Sequence, residues 1–483
     1  MIAGPLLLLI LPLAMAGIVY ILLRWASLSA LLSVGTALAL GVAVVTLPLD
    51  QPVQLFSFLG GERQIVMGEA VTFFGRELVL EQADRMAMAF LFFASAGLFF
   101  LAWRFAPHSL LFPMGLALLS LLSGALLIWP LIYAALLIEI AAAFSVFALQ
   151  AEGQAPTRGG LRYLTFTTLA LPGLLVTHWL LERYVLTPDE TGLLSMATAL
   201  LAISFALLLG VVPFHTWVTA VAGDGVPLAG TFVLTISNGA VWFLLLDFLE
   251  TYPWLSGHPR FESIVFTAGL VMVVVGALLA PAQRRLGPLI GYAALIDSGA
   301  ALIALGMNSR LGLTLTLLSL LVRPFGLILM AAGLSGLRAR SGGDDSFDVL
   351  HGLGWKAPWS TAALVFGGLS VAGLPPSAGF AWRWALCRAL APSSPGVALF
   401  LLLAGMGVMI GVWRGLFALL VRPRSPENRS VVSLGTSEGI PEGWLTATVV
   451  AVAILGCVGV GLFPQVLAPL ALRLAETYTF FTP

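Results

Sequence analysis

Charge is what this 483-residue chain has least of: Asp, Glu, Lys and Arg together make up 10% of it, against 59% hydrophobic residues. A soluble domain carries about a quarter charged residues, so the composition, with its mean hydropathy of +1.02, excludes a soluble domain of any size. Lysine is almost absent. Lys356 is the single one, arginine supplies the other positive charges, and the acids balance them to a net charge of zero. That balance removes the basic footprint that nucleic-acid binding needs. Cysteine is scarce too: Cys387 and Cys457 fall in or beside apolar runs, with no CxxC and no histidine cluster. Their placement excludes a zinc site and an iron–sulfur ligand set. No nucleophile–base pair and no nucleotide fingerprint is present. Ala222-Gly223-Asp224-Gly225-Val226-Pro227 is glycine-rich but lacks the lysine and hydroxyl of a phosphate loop, and reads as a turn. The chain is therefore expected to bind no cofactor or metal and to have no catalytic residues, leaving any redox chemistry to partners.

What is abundant is apolar sequence, in runs of about 20 residues that can cross a hydrocarbon core of about 30 Å at 1.5 Å per residue. About fourteen spans are expected, near 2–23, 27–48, 84–104, 109–128, 131–150, 162–183, 191–212, 226–249, 261–281, 286–307, 310–336, 357–391, 396–421 and 443–465. The fold class is thus an all-α integral membrane protein. The first run lacks a positive leading region and is too long for a signal-peptide core, so it reads as an uncleaved span. The twelfth is too long for one straight helix and is expected to break near Pro375 and Pro376. Between spans two and three, residues 49–83 alternate charged, glycine and β-branched residues, as in Gln64-Ile65-Val66-Met67 and Glu77-Leu78-Val79-Leu80. That pattern suits a short extramembrane β-hairpin. Loops reached after odd-numbered spans hold about twelve basic residues, among them Arg24, Arg104, Arg284, Lys356, Arg422, Arg424 and Arg429. The other side holds about seven, three of them (Arg63, Arg76 and Arg85) in the hairpin region. The positive-inside rule then puts both termini outside the cytoplasm.

Charge kept inside the apolar runs carries the functional information, because an ionised group at the bilayer centre costs several kcal/mol or more unless it is paired or faces water. Glu139, Asp297, Arg323, Arg383 and Arg414 are such residues. Each alone could be a structural ion pair or a side chain reaching for the interface; spread over several spans, they read as an ion path. Trp382, Trp384 and Trp413 flank the arginines, where plain aromatic packing competes with cation–π contact. His108, His178, His258 and His351 fall at span ends or in loops. Pro213 and the pair Pro375-Pro376 interrupt long apolar segments in the two halves of the chain, a pairing that suits repeat halves with unwound mid-membrane segments. Two kinks without a transport role are the plainer alternative.

Val212-Pro213-Phe214-His215-Thr216-Trp217 resembles the VPFHxW signature of the antiporter-like subunits of respiratory complex I, Na+/H+ antiporter complexes and membrane-bound hydrogenases. The helix Leu289-Ile290-Gly291-Tyr292-Ala293-Ala294-Leu295-Ile296-Asp297-Ser298-Gly299 and the break Gly373-Leu374-Pro375-Pro376-Ser377-Ala378-Gly379-Phe380 are similar to two further family segments, in order and spacing. The resemblance covers residues 84–421. It implies two inverted five-helix repeats, each with a discontinuous helix, at 84–250 and 251–425, preceded by two spans and a hairpin at 1–83 and followed by a C-terminal span and tail at 426–483. It also implies a mid-membrane row of proton-relaying residues. On that pattern Glu139 matches the fifth-helix glutamate, Arg162 a lysine at the start of the sixth helix, and His215 the signature histidine. Arg383 matches the lysine of the broken twelfth helix, and Arg323 lies near a lysine of some members.

The departures are as informative. Leu208 stands where the family has its central lysine, Ser237 or Asn238 where it has a second, and Asp297 where it has a histidine. A buried lysine can exchange its proton near neutrality whereas arginine stays charged, so the family's lysine relay cannot run here unchanged. Two readings follow for a membrane subunit of a complex I-like translocase of quinone-oxidoreductase or hydrogenase type. In one, protons (with Na+ as the alternative ion) move through Glu139, His215, Asp297, Asn238 and water, biased by Arg162, Arg323 and Arg383. In the other the subunit is a non-pumping structural element. A free-standing secondary transporter is the competing class, and would need a substrate-sized central cavity. The expected partners are other membrane subunits and the lipid of a prokaryotic-type inner membrane.

Overall fold

The computed structural model describes residues 2–54, 64–73, 75–150, 156–187, 191–421 and 442–480. Arg63, Arg422, Arg424 and Arg429, used in the charge count, lie outside the described residues. The helices are α1 (Gly4–Ile21), α2 (Ala26–Thr46), α3 (Asp84–Phe105), α4 (Leu111–Leu127), α5 (Ile132–Leu149), α6 (Arg158–Leu186), α7 (Thr191–Leu209), α8 (Thr216–Asp224) and α9 (Pro227–Phe232). They continue with α10 (Asn238–Thr251), α11 (Phe261–Leu279), α12 (Leu286–Leu305), α13 (Arg310–Arg338), α14 (Pro358–Ala372), α15 (Ala378–Leu390), α16 (Pro395–Leu420), α17 (Trp444–Leu462) and α18 (Ala468–Thr477). Among the described residues twelve stretches are long and apolar enough to cross a membrane, α9 and α10 counting as one, and the shorter α4 and α14 are apolar as well. All fourteen expected spans are therefore helical. Helix is the form that satisfies every backbone N–H and C=O within the segment where lipid offers no partner.

Polar caps mark where helices enter from water. Thr157 and Ser309 each accept a backbone N–H three residues on, from Gly160 and Gly312 at 3.1 Å, opening the long helices α6 and α13. Burial sorts the bundle: most residues of the α9–α10 span, α12 and α13 lie inside the protein, whereas α11 and α17 are mainly peripheral. Small residues set the closest crossings. A Cβ added to Gly269 on α11 would lie 2.5 Å from the carbonyl oxygen of Gly299 on α12, the close backbone approach by which helices pack in lipid.

The 49–83 region forms the expected hairpin, Val71–Phe73 against Arg76–Leu78, and further strands beside it. Val71–Phe73 pairs antiparallel with Arg76–Leu78, which also pairs with Ile128–Trp129; Gln64–Val66 instead joins Val53–Gln54 and, in parallel, Ile2–Ala3. These sheets gather the first strand and the ends of α2 and α4 on one face. The C-terminal residues reach the same face, where the Thr479 N–H donates to Glu250 Oε2 at 2.7 Å, beside the cluster formed by Asp84, Asp247 and Tyr478. Both described chain ends thus lie on one side.

Two helices are interrupted in the same way. α7 ends at Leu209 and Gly210 follows with φ +69°; α14 ends at Ala372 and Gly373 follows with φ +73°. Three residues after each glycine comes a proline preceded by a cis peptide, Val212-Pro213 and Pro375-Pro376, and the chain then restarts as α8 and α15. A left-handed glycine is the common way to end a helix, and proline stops it from continuing. The expected twelfth-span break is found. The expected turn at 222–227 differs: Ala222, Gly223 and Asp224 belong to α8, and Pro227 opens α9.

Candidate functional site

The α9–α10 span contains a wider turn at its centre, the π-helical segment Val233–Ser237. Such segments occur often at functional sites because the extra residue re-aims the side chains that follow. Asn238, the first residue after it, is buried, and its side-chain oxygen accepts from Arg323 Nη1 at 2.9 Å. Arg323 sits on α13 directly before Pro324 and donates through Nε to Asp297 Oδ2 of α12 at 2.8 Å. The other carboxylate oxygen, Oδ1, faces Arg383 Nη2 of α15 at 3.4 Å. Arg383 Nη1 donates to the carbonyl of Ala372 at 3.1 Å. That carbonyl ends α14, where the helix dipole presents partial negative charge. Four elements thus deliver Asn238, Arg323, Asp297 and Arg383 to one connected array across the bundle interior.

The array is sealed. Side-chain exposure is 2% for both arginines and 5% for Asp297. Two guanidiniums against one carboxylate leave a formal charge of +1 in a region where single charges are costly. Arg323 Nη2 and Arg383 Nε find no protein acceptor among the described residues. Beside the array, Asp297, Arg323, Ser370, Gly379 and Trp382 line a cavity of about 10 Å³, space for about one water. The Arg383 guanidinium carbon lies 5.5 Å from the Trp382 ring centre, so the aromatic neighbour contributes cation–π contact as well as packing. Trp384 instead stacks on Phe380, with ring centroids 6.1 Å apart.

The structure joins four of the seven residues singled out in the sequence and leaves three apart. Glu139, half-buried on α5, accepts a hydrogen bond from Thr168 Oγ1 on α6 through one oxygen, and its Oε2 has no partner among the described residues. His215 is half-buried at the α7–α8 break, immediately before α8. No hydrogen bond among the described residues connects either to the array. Arg162 is exposed on the outer face of α6. Leu208, which the sequence resemblance sets against a lysine, is buried among apolar neighbours. Arg414 is exposed and reaches the Pro281 carbonyl, the interfacial behaviour that a lone arginine in a span allows.

Two polar centres escaped the sequence reading. Asp345, fully buried, accepts from Arg285 Nε and Arg338 Nη2, both at 2.7 Å, and from the Gly287 N–H at 2.8 Å. Arg338 also donates to the carbonyls of Gly225 at 2.8 Å and Gly223 at 2.6 Å, so this knot ties the end of α8 to the start of α12 and the end of α13. In sequence, Asp345 is one acid in a loop between spans, where solvation is the ordinary expectation. The second centre is Asp247, which accepts from the Tyr478 hydroxyl at 3.3 Å. It lies one turn from the end of α10 and would pass for an interfacial residue.

Comparison with known proteins bears on this geometry. Residues 163–410 match the family described as NADH:quinone oxidoreductase/Mrp antiporter, TM; that range includes His215 and all four members of the array but neither Glu139 nor Arg162. NADH-quinone oxidoreductase subunit N of Chromohalobacter salexigens is 32% identical over 204 residues, 40% of this chain and 41% of that protein. NADH-quinone oxidoreductase subunit N 1 of Koribacter versatilis is 28% identical over 301 residues, 60% of this chain and 56% of that protein. The alignments thus span less than two thirds of the length of these relatives. In structure, a chain of the Mrp complex from Dietzia sp. superposes with a TM-score of 0.75 at 18% identity, covering 98% of this chain and 97% of that one. That likeness concerns the fold alone.

Proposed function

The chain belongs to the NADH:quinone oxidoreductase/Mrp antiporter transmembrane family, and on that footing we propose that it is a proton-translocating, antiporter-like subunit of a multi-subunit, redox-driven or ion-coupled energy-converting complex. The observation that carries this reading is the Asn238–Arg323–Asp297–Arg383 array, four buried polar residues held by four helices of one bundle. Arginine does not release its proton at working pH, so Arg323 and Arg383 act as fixed charges, and Asp297 divides its two oxygens between them. A proton arriving along a path through Glu139, His215 and water meets this positive array and shifts the balance of Asp297 between its two partners. The shift passes a charge signal from α12 toward α15. The 2.8 Å and 3.4 Å contacts are one arrangement of such a pair.

The paired glycine and proline breaks support two repeat halves, 84–250 and 251–425. The shared face of the chain ends supports termini on one side, which the arginine distribution assigns to the non-cytoplasmic side of an inner membrane. The partners are other membrane subunits, the bilayer and protons, Na+ being the alternative ion. A solute carrier fits less well: small-molecule sites occupy about 300–1,000 Å³, whereas the polar cavity at the array holds about 10 Å³. The non-pumping reading draws on Leu208 in place of lysine and on the separation of Glu139 and His215 from the array.

One experiment separates pumping from non-pumping. Asp297→Asn is introduced into the complex purified with its partners, and protons moved per electron, or per ion exchanged, are measured in liposomes. Loss of part of the stoichiometry supports conduction through this chain; an unchanged value with intact assembly overturns it.

A further inference from the structure

An apolar groove of about 570 Å³ runs between α2, α3, α13, α17 and the start of α18. On α3 its wall includes Met86, Phe90, Phe93, Gly97 and Leu101, a single stripe at steps of three and four residues. The stripe covers about 22 Å of helix axis at 1.5 Å per residue, most of a hydrocarbon core of about 30 Å. Val452, Ala453 and Gly456 of α17 line the opposite side, and Pro324, next to Arg323, lines the inner one. A Cβ on Gly97 or Gly456 would meet nothing within 4 Å, so the space is open at both walls.

The two ends of the groove differ in the cationic donors they leave open. Arg104 continues the α3 stripe three residues beyond Leu101; it is exposed, uses Nε on Thr446 Oγ1 at 2.6 Å, and makes no ion pair among the described residues. Thr446 stands at the start of α17, next to the exposed Trp444, a residue type favoured at headgroup depth. Glu442, an acid at this end among the described residues, is taken up by Arg340 at 3.6 Å and by Ser360. At the other end Arg85, beside Met86, already commits its guanidinium to the carbonyls of Val44, Val45 and Leu47, with Asp84, Asp247 and Glu250 nearby. An anionic headgroup therefore finds open cationic donors at the first end, on Arg104, and occupied ones at the second.

We propose that this groove binds one acyl chain of an anionic glycerophospholipid, with the phosphate held by the free guanidinium nitrogens of Arg104. The site is independent of the proton path, so either proposal can fail without the other. The full chain, purified with its membrane partners, is reconstituted with phosphatidylglycerol or phosphatidylcholine carrying a photoactivatable acyl chain, and labelled peptides are identified. Phosphatidylglycerol labels the α3, α13 and α17 walls several-fold more than phosphatidylcholine. Arg104→Gln brings the two probes level, Arg104→Lys retains the preference, and Gly97→Leu with Gly456→Leu lowers labelling by both. Equal labelling by the two probes in the unaltered protein overturns the proposal. So does a wall that neither probe reaches because a partner subunit's helix or a neutral isoprenoid covers it.

Discussion

Arg383 lies beneath Gly373: a Cβ added to that glycine would stand 2.5 Å from Arg383 Cδ. The glycine that ends α14 therefore also makes room for the arginine that reaches Asp297 and the Ala372 carbonyl. The equivalent glycine of the first break, Gly210, faces Val218 and Trp217 instead. Counting ten residues from each glycine gives Arg383 in one half and Ala220 in the other. The two breaks share a backbone pattern, but only the second is wired to a charge.

Gly373→Ala should accordingly hurt twice. Alanine is strained at φ +73°, a cost of about 1–3 kcal/mol, and its methyl group pushes Arg383 away from Asp297. The expected result is a lower thermal midpoint and a loss of ion-transport activity comparable with that of Arg383→Ala. Gly210→Ala should lower the midpoint through the same backbone cost, with Arg383 left in place. Differential scanning fluorimetry of the detergent-solubilised complex, paired with the liposome assay, tells the two apart.

The buried ion pairs make a second expectation. Asp297→Leu removes one carboxylate and leaves two guanidiniums facing each other, a loss of about 3–5 kcal/mol for breaking a buried pair. Asp297→Leu with Arg323→Leu removes a charge of each sign and should recover part of that stability. A double-mutant cycle on thermal or denaturant unfolding measures the coupling. Additive effects would mean that Arg323 and Asp297 do not depend on each other energetically.

Much of this architecture was legible in the sequence, because hydropathy and helix-breaking residues act locally. Apolar runs located helix at each of the fourteen expected spans, twelve of them long and apolar enough to cross a membrane, and Pro375-Pro376 located the second break. Four of the seven residues singled out proved to share a site. Local pattern did not reveal which charges meet, since Asp297, Arg323 and Arg383 are brought together by packing across 86 positions of chain. It also missed α8, nine residues long, whose end reads as a turn through Gly223 and Gly225. Asp345 carried no signal at all: a loop aspartate looks solvated until the fold surrounds it with Arg285 and Arg338. In the hairpin region the alternation indicated strands but left their register open, as short strands do when neither face is strongly buried.

The Asp345 knot should be a mechanical link between the halves. Asp345→Ala leaves Arg285 and Arg338 without their carboxylate and the Gly287 N–H without an acceptor, and it weakens the hold of Arg338 on the carbonyls of Gly223 and Gly225. A cost of about 3–5 kcal/mol follows from breaking a buried pair. Faster amide exchange should appear first at the end of α8 and the start of α12, with α1 and α2 unchanged. Uniformly faster exchange over the whole chain would mean the knot supports general stability rather than this joint.

Glu139 offers the cleanest separation of proton transfer from structure. Its bonded oxygen accepts from Thr168, and the amide oxygen of Glu139→Gln can accept the same hydrogen bond, so the α5–α6 contact should persist with a stability change within about 1 kcal/mol. What glutamine cannot do is take up and release a proton. If Glu139 loads protons for the path, the variant assembles at normal levels, keeps its thermal midpoint and moves fewer protons per turnover. Glu139→Asp, which can titrate on a shorter arm, should restore part of the flux. A variant that assembles normally and pumps at full stoichiometry would instead make Glu139 a packing contact to Thr168, and with it the path through α5 would have to be abandoned.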